Sequence, residues 1–154
     1  MTYMKSPVYT YKKLNYLYNV HDTYTAGVML EGWEVKALDD HCGDINVAYC
    51  QFKGNDFVLL NSKIKPLHNH VIDNKTVTDS ESRMRKLLLN KQEIKRIQEK
   101  IKIKGYTCVP VKLYRSTNKL WKLEIALVTG KNTYDKRETI KKRDQERDMK
   151  RNSN

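Results

Sequence analysis

A glutamate and a lysine separated by one residue, in Glu34-Val35-Lys36, have the E-x-K spacing found in metal-dependent nucleases. Other carboxylates in the same part of the chain could complete a magnesium site: Asp22, Asp39, Asp40 and Asp44. Two or three carboxylates converging on Mg²⁺ would suit phosphodiester hydrolysis. E-x-K alone is a short motif, and those nucleases carry it on an α/β sheet. We therefore keep a nuclease as an alternative and predict that the protein is not an enzyme.

Histidine and cysteine offer a second kind of site, because His68-x-His70 could be combined with His41 and Cys42 around zinc. The chain contains three cysteines, Cys42, Cys50 and Cys108. They lack the paired C-x-x-C spacing of zinc sites, and their odd number favours reduced thiols in a cytosol-like compartment. We therefore predict no metal ion and no other cofactor.

The distribution of charge indicates the kind of partner. The formal net charge is +12, and the sequence pI is about 9.6. Residues 81–105 contain nine Lys/Arg against three Glu, and residues 131–154 contain nine against five acidic residues, so these two segments carry +6 and +4. Such charge favours a polyanion, with nucleic acid first and an anionic membrane surface second. A membrane role is the weakest alternative, because the C-terminal segment has no apolar face to insert.

The elements that must position these residues follow from local patterns. We predict a flexible leader over residues 1–10, a strand from about Tyr16 to Leu30, and a short helix over residues 31–40. Residues 45–67 predict two strands joined by a turn at Gly54-Asn55, because both residues tolerate positive φ. Residues 68–80 are polar and irregular, which indicates a loop.

The second half of the chain is predicted to be helix followed by a β-hairpin. Apolar residues spaced by three and four favour a helix over residues 81–105, with an N-cap and a break at Asn90 and an end at Gly105. Residues 106–128 predict the hairpin. No strand-helix-strand rhythm is present, so the fold class is mainly β. We expect a small antiparallel OB-like barrel with about three peripheral α-helices.

Four segments are specific enough to indicate a family: TYTAGVMLEGWEVKAL, RKLLLNKQEI, KGYTCVPVKLY and GKNTYDKRETIKKRD. In this order, from Lys12 to Arg151, they resemble SmpB, the SsrA-binding protein family of bacterial trans-translation. The resemblance implies a protein that binds the tRNA-like domain of transfer-messenger RNA (tmRNA) and accompanies it into stalled ribosomes. It implies a barrel over residues 11–130 and a C-terminal tail over residues 131–154. We expect a monomer in the bacterial cytoplasm or in an organelle of bacterial descent.

The tail is a segment that cannot pack on its own barrel. Glu138–Lys142 and Glu146–Lys150 are favourable (i, i+4) pairs, each worth about 0.3 kcal/mol, so the local preference is helical. The segment is polar all round and too weak to form a stable helix alone. The resemblance implies that it is disordered when free and becomes helical in the empty mRNA channel of the small subunit, near the decoding centre. The predicted ribosome-binding residues of the tail are Tyr134, Asp135, Lys136, Arg137, Ile140, Lys141, Lys142, Arg143 and Arg147.

The resemblance also predicts residues that bind tmRNA: Lys12, Lys13, Glu34, Lys36, Gly130, Lys131 and Asn132. The polar face of the helix predicted over residues 81–105 adds Arg83, Lys86 and Lys91, which are free to meet phosphates. The sequence departs from the family pattern at Tyr11, Asn15, Tyr16, Leu17, Asp39 and Asn132. These departures leave open whether RNA binding is weaker here or the partner RNA has itself diverged. The alternative to a trans-translation factor is a generic RNA-binding barrel protein associated with ribosomes or tRNA.

Overall fold

The computed structural model describes residues 6–66 and 81–131, and within them the chain is mostly β. The strands are β1 Tyr9–Thr10, β2 Tyr18–Val28, β3 Gly43–Asp44, β4 Tyr49–Lys53, β5 Asp56–Leu60, β6 Lys63–Ile64, β7 Arg85–Leu88, β8 Tyr106–Arg115 and β9 Trp121–Gly130. The helices of these residues are α1 Leu14–Leu17, α2 Gly32–Asp39 and α3 Lys91–Ile101. The predicted loop over residues 68–80, with His68 and His70, and the tail from Asn132 onward lie outside the described residues.

Six strands form a closed ring. The order in the main sheet is β1-β8-β4-β5-β7-β2-β9, and β9 also pairs with β8. Every neighbouring pair in this ring is antiparallel. The predicted antiparallel barrel is confirmed. In the main sheet of the described residues, only β1 lies outside the ring, where it pairs with β8, and closure of the other six strands limits exposed sheet edges. Strands β3 and β6 pair with each other in a separate two-stranded sheet.

The barrel is filled by side chains from all six strands and from two helices. Helix α2 contributes Trp33 and Leu38 to the buried core, and α3 contributes Ile97. A second, smaller cluster lies on the outer face of the β8–β9 hairpin, where Tyr11 and Leu14 pack against Val109, Ala126 and Val128. The first cluster fixes α2 on the barrel, and the second fixes the N-terminal segment that precedes β2.

Two glycines act at positions where a side chain would interfere. Gly54 has φ +62°, and it forms the β4–β5 turn with Asn55 as the sequence predicted. At Gly43 in β3, a Cβ would lie 2.7 Å from Leu38 Cδ2 and 3.0 Å from Tyr9 Cε1. The absence of a side chain there allows α2, β1 and β3 to approach one another closely.

The helix predicted over residues 81–105 is correct only in its second part. Asn90 Oδ1 accepts a hydrogen bond from Glu93 N at 2.9 Å, so Asn90 caps α3 as predicted. Residues 85–88 instead form β7, which lies between β5 and β2. Its buried and exposed residues alternate with a period of two, the signature of a strand. The leucine spacing masked this period, since Leu87 points inward and Leu88 outward.

The predicted leader is also shorter than expected. Tyr9 and Thr10 form β1, and Tyr9 pairs with Leu113 of β8. The Tyr9 hydroxyl donates to Leu38 O at 2.5 Å, which ties β1 to the end of α2. The prediction of a flexible leader is therefore wrong for these two residues, because both sheet pairing and a side-chain hydrogen bond hold them on the barrel.

Candidate nucleic-acid interface

Glu34 lies in the interior of the protein. Its side chain has 0% exposure, although the sequence predicted it on the RNA-binding surface. One carboxylate oxygen accepts hydrogen bonds from Arg83 Nη2 and from the backbone N–H of Glu31, the latter at 2.7 Å. The other accepts from Arg85 Nε at 2.5 Å. Both oxygens of this carboxylate are therefore satisfied within the protein.

Arg85 is the buried partner that the sequence analysis missed. It has 1% exposure, and burial lowers the pKa of its guanidinium although the Glu34 carboxylate opposes that shift. Its Nη1 donates to Ser62 Oγ at 2.9 Å, and its Nη2 donates to Glu81 O at 3.0 Å. A buried charge pair is retained only when its remaining hydrogen-bonding groups are also satisfied. The signal available in the sequence was the alternation of residues 85–88, which places Arg85 on the same inward side as Leu87.

Arg83 connects this buried pair to the surface. Its side chain is 25% exposed, and it contacts Glu31 and Glu34 at the start of α2. Lys36 lies on the solvent-facing side of the same helix. The network of Glu34, Arg83 and Arg85 therefore joins α2 to β7, with Arg83 partly exposed and Lys36 exposed on α2. We call this region the α2–β7 region.

A second group of predicted residues gathers at the end of β9. Gly130 pairs with Tyr18 at the start of β2. The next residue, Lys131, donates through its backbone N–H to Leu17 O at 2.9 Å and through Nζ to Asn15 O at 2.5 Å. Both acceptors belong to α1. The end of the barrel is thereby held against the N-terminal segment, and we call this region the Lys131–α1 junction.

Lys12 and Lys13 lie beside this junction. Lys13 O accepts the backbone N–H of Leu17, so Lys13 opens the short helix that Lys131 contacts. The backbone N–H of Lys12 donates to Asn46 Oδ1 at 2.9 Å. Both lysines are exposed. The structure thus brings together lysines from opposite ends of the described chain, which sequence spacing alone could not place side by side.

The remaining predicted cations are separated from one another. Lys86 is on the outer face of β7 and lies 3.2 Å from Asp56 Oδ1, whereas Lys91 is the first residue of α3. The predicted single helical face carrying Arg83, Lys86 and Lys91 is therefore wrong. Arg83 precedes β7, Lys86 lies in β7, and Lys91 begins α3. Asn132 and the predicted tail residues from Tyr134 to Arg147 are outside the described residues.

Asp39, one of the departures from the family pattern, has a partner of its own. Its Oδ1 lies 3.2 Å from Arg115 Nη1 on β8. The pair is partly exposed, so it contributes little stability. Arg115 nevertheless offsets the negative charge of Asp39.

The nuclease alternative loses its principal ligand. Both oxygens of Glu34 are taken by arginine side chains inside the protein, where a hydrated Mg²⁺ has no access. Within residues 6–66 and 81–131, no group of three His, Cys, Asp or Glu side chains could hold a metal ion. None of the helices in these ranges is both long and apolar enough to cross a membrane.

A closed antiparallel barrel with exposed lysines gathered around α1 and α2 defines a class, that of the basic β-barrel proteins that bind nucleic acid. The sequence profile of the family described as "SmpB protein" matches residues 8–154. The chain belongs to the SmpB family.

Individual relatives agree with this assignment. The chain is 42% identical over 141 residues to the SsrA-binding protein of Fervidobacterium nodosum, covering 92% of each sequence. It is 39% identical over 139 residues to the SsrA-binding protein of Flavobacterium psychrophilum, covering 90% of this chain and 89% of the relative. A chain of the solved structure described as "tmRNA-SmpB: a journey to the center of the bacterial ribosome" superimposes with a TM-score of 0.65 at 32% identity, covering 87% of this chain and 94% of that one.

Proposed function

We propose that this protein binds the tRNA-like domain of tmRNA and delivers it to stalled ribosomes in the cytoplasm. The observation that carries the proposal is the family match over residues 8–154, which includes both the barrel and the basic C-terminal segment. Relatives of similar length are SsrA-binding proteins, and the structural relative was solved in a study of tmRNA, SmpB and the bacterial ribosome. These names supply the two partners that we propose here.

The barrel would contact RNA through two groups of cations. The first group is the exposed Lys36 and the partly exposed Arg83 of the α2–β7 region, and the second is Lys12, Lys13 and Lys131 around the Lys131–α1 junction. Exposed Lys and Arg neutralise phosphates and release bound counterions, so affinity should fall steeply with salt. Glu34 would act indirectly, because its buried carboxylate holds Arg83 in place at the surface.

A gel-shift titration against the tRNA-like domain, with ordinary alanine tRNA as competitor, tests the RNA partner. Selective binding that alanine tRNA displaces poorly is the expected result. The generic RNA-binding alternative predicts weak and equal binding of both RNAs, because it lacks a preference for the tRNA-like elbow. That outcome would leave an SmpB-like barrel with a different task.

The tail is proposed to report that the mRNA channel is empty. Deleting residues 134–154 removes thirteen charged side chains but no strand of the barrel. We expect nearly intact tmRNA affinity and loss of peptide tagging on ribosomes stalled without a stop codon. A matched control removes only the uncharged residues 152–154 and should tag normally. Tagging that survives the longer deletion would contradict this role for the tail.

A further inference from the structure

Two cysteines face each other where the barrel closes between β4 and β8. Cys50 and Cys108 are directly opposed across these antiparallel strands. In the described part of the chain this is the one opposed pair in the β4–β8 ladder, whereas β4 and β5 share five. The seam between β4 and β8 is therefore short, and the two thiols lie at its centre.

Both side chains point into the barrel. Cys50 has 3% exposure and Cys108 has 0%, and both belong to the main core. Cys50 is also opposed to Leu59, and Cys108 to Leu127, so four neighbouring strands present one interior layer of Leu, Cys, Cys and Leu. Each cysteine thus fills the place of a small apolar residue in the reduced protein.

The positions satisfy the backbone requirement of a disulfide. Directly opposed residues of antiparallel strands have Cα atoms about 4.5 or 5.5 Å apart, and disulfides span Cα distances of about 4.4–6.8 Å. Burial raises the pKa of the Cys50 thiol well above its usual value, and the neighbouring Cys108 thiol adds to that shift. All three cysteines of the chain are reduced in this structure.

We propose that Cys50 and Cys108 are an oxidation site, at which hydrogen peroxide converts the two thiols into a disulfide that locks the β4–β8 seam. One cysteine, as its thiolate, attacks the peroxide oxygen and becomes a sulfenic acid, and the O–O bond breaks to release water after proton uptake. The second sulfur then attacks the sulfenic sulfur and displaces a second water. Two thiols and one hydrogen peroxide thus give one disulfide and two waters.

The rate of this reaction depends on opening of the seam. Only the thiolate attacks, and burial makes the thiolate scarce in the closed barrel. Oxidation of the folded protein should therefore be slow, and it should accelerate in urea concentrations that open the seam without unfolding the chain. Once formed, the bond closes a loop from residue 50 to residue 108 and restricts the unfolded chain. The loop length predicts an increase in Tm on the order of 10 °C.

The test uses the full chain carrying Cys42→Ser, which removes the partly exposed third thiol and with it most linkage between molecules. The protein is treated with hydrogen peroxide across a urea series below the unfolding midpoint. Remaining thiols are blocked under denaturing conditions, and peptides are mapped by mass spectrometry. We expect a Cys50–Cys108 linked peptide from monomeric protein and a higher Tm that a reductant reverses.

The matched control adds Cys108→Ala to the same background, which leaves one thiol at the seam. Its Tm with and without peroxide is compared within the variant, so any loss of core packing cancels. The change that peroxide causes in this control measures the effect of methionine oxidation, which is subtracted from the change in the two-thiol protein. This control should show no linked peptide and no increase in Tm. The proposal is overturned if both thiols remain free at every urea concentration. It is also overturned if they become sulfinic or sulfonic acids, or if the linked protein melts no higher than the reduced one.

Discussion

The α2–β7 region and the Lys131–α1 junction both contain charged residues that the family resemblance assigns to RNA binding, but they use those charges differently. In the α2–β7 region, Glu34 and Arg85 are fully buried and satisfy each other. At the junction, Lys131 binds backbone carbonyls of α1 at the surface. A charged residue in a recognition motif can therefore support the fold or contact a partner. It can also support the fold and thereby hold in place another residue that contacts the partner. Burial and partners distinguish these roles, whereas residue type does not.

The largest expected effect is on the buried side of this comparison. Glu34→Ala leaves the Arg85 guanidinium buried without its counter-charge, and removing one partner of a buried pair costs about 3–5 kcal/mol. Urea unfolding of the variant and the wild type measures the difference. Lys36→Ala, an exposed change in the same helix, is the control and should stay within about 0.5 kcal/mol. Equal stability of the two variants would show that Glu34 is not structural.

Arg83 should show an intermediate effect, because it belongs to the network and also reaches solvent. Arg83→Ala leaves Glu34 paired with Arg85, so we expect a loss of about 1–2 kcal/mol, discounted for exposure. RNA affinity should fall as well. Arg83→Lys keeps the charge but loses the planar fork that contacts Glu31 and Glu34 together. If Arg83→Ala alters stability alone, the α2–β7 region has no direct part in RNA binding.

At the Lys131–α1 junction we expect a small effect on stability and a larger effect on RNA affinity. Lys131→Ala should cost less than about 1 kcal/mol in unfolding, because the lost hydrogen bond is exposed. Its affinity for the tRNA-like domain should fall, and the salt slope should decrease by about 0.7–0.9 for one phosphate contact. Gel shifts at several salt concentrations measure both, with Lys131→Arg as the charge-preserving control. A large loss of stability with unchanged affinity would place Lys131 with Glu34 as a structural residue.

The smallest effect concerns the exposed pair of Asp39 and Arg115. Asp39→Asn should change unfolding by less than about 1 kcal/mol. It removes one negative charge and leaves Arg115 available to phosphate, so RNA affinity should increase at low salt and converge with the wild type at high salt. Asp40→Asn removes the same charge one residue further on and serves as the control. An equal increase in both variants would attribute the effect to net charge rather than to release of Arg115.

Several elements of this protein follow from local sequence. The β8–β9 hairpin, the turn at Gly54, the short helix α2 and the cap at Asn90 each depend on residues close together in the chain, where alternation, positive φ and capping act directly. The family could be identified for the same reason, because its motifs are continuous segments in a fixed order. The positive charge of residues 81–105 and 131–154 is likewise a property of the sequence alone.

Other features depended on strands far apart in sequence. Residues 85–88 have a leucine spacing that suits a helix, and only the gap between β5 and β2 makes them a strand. Glu34 is buried because Arg83 and Arg85 reach it across 49 and 51 residues. The opposed thiols of Cys50 and Cys108, and the contact of Lys131 with Asn15, arise in the same way. Local pattern determines which segments form helices and hairpins, but closure of the barrel decides which side chains face inward and which charges meet. That closure depends on pairings that no short stretch of sequence contains.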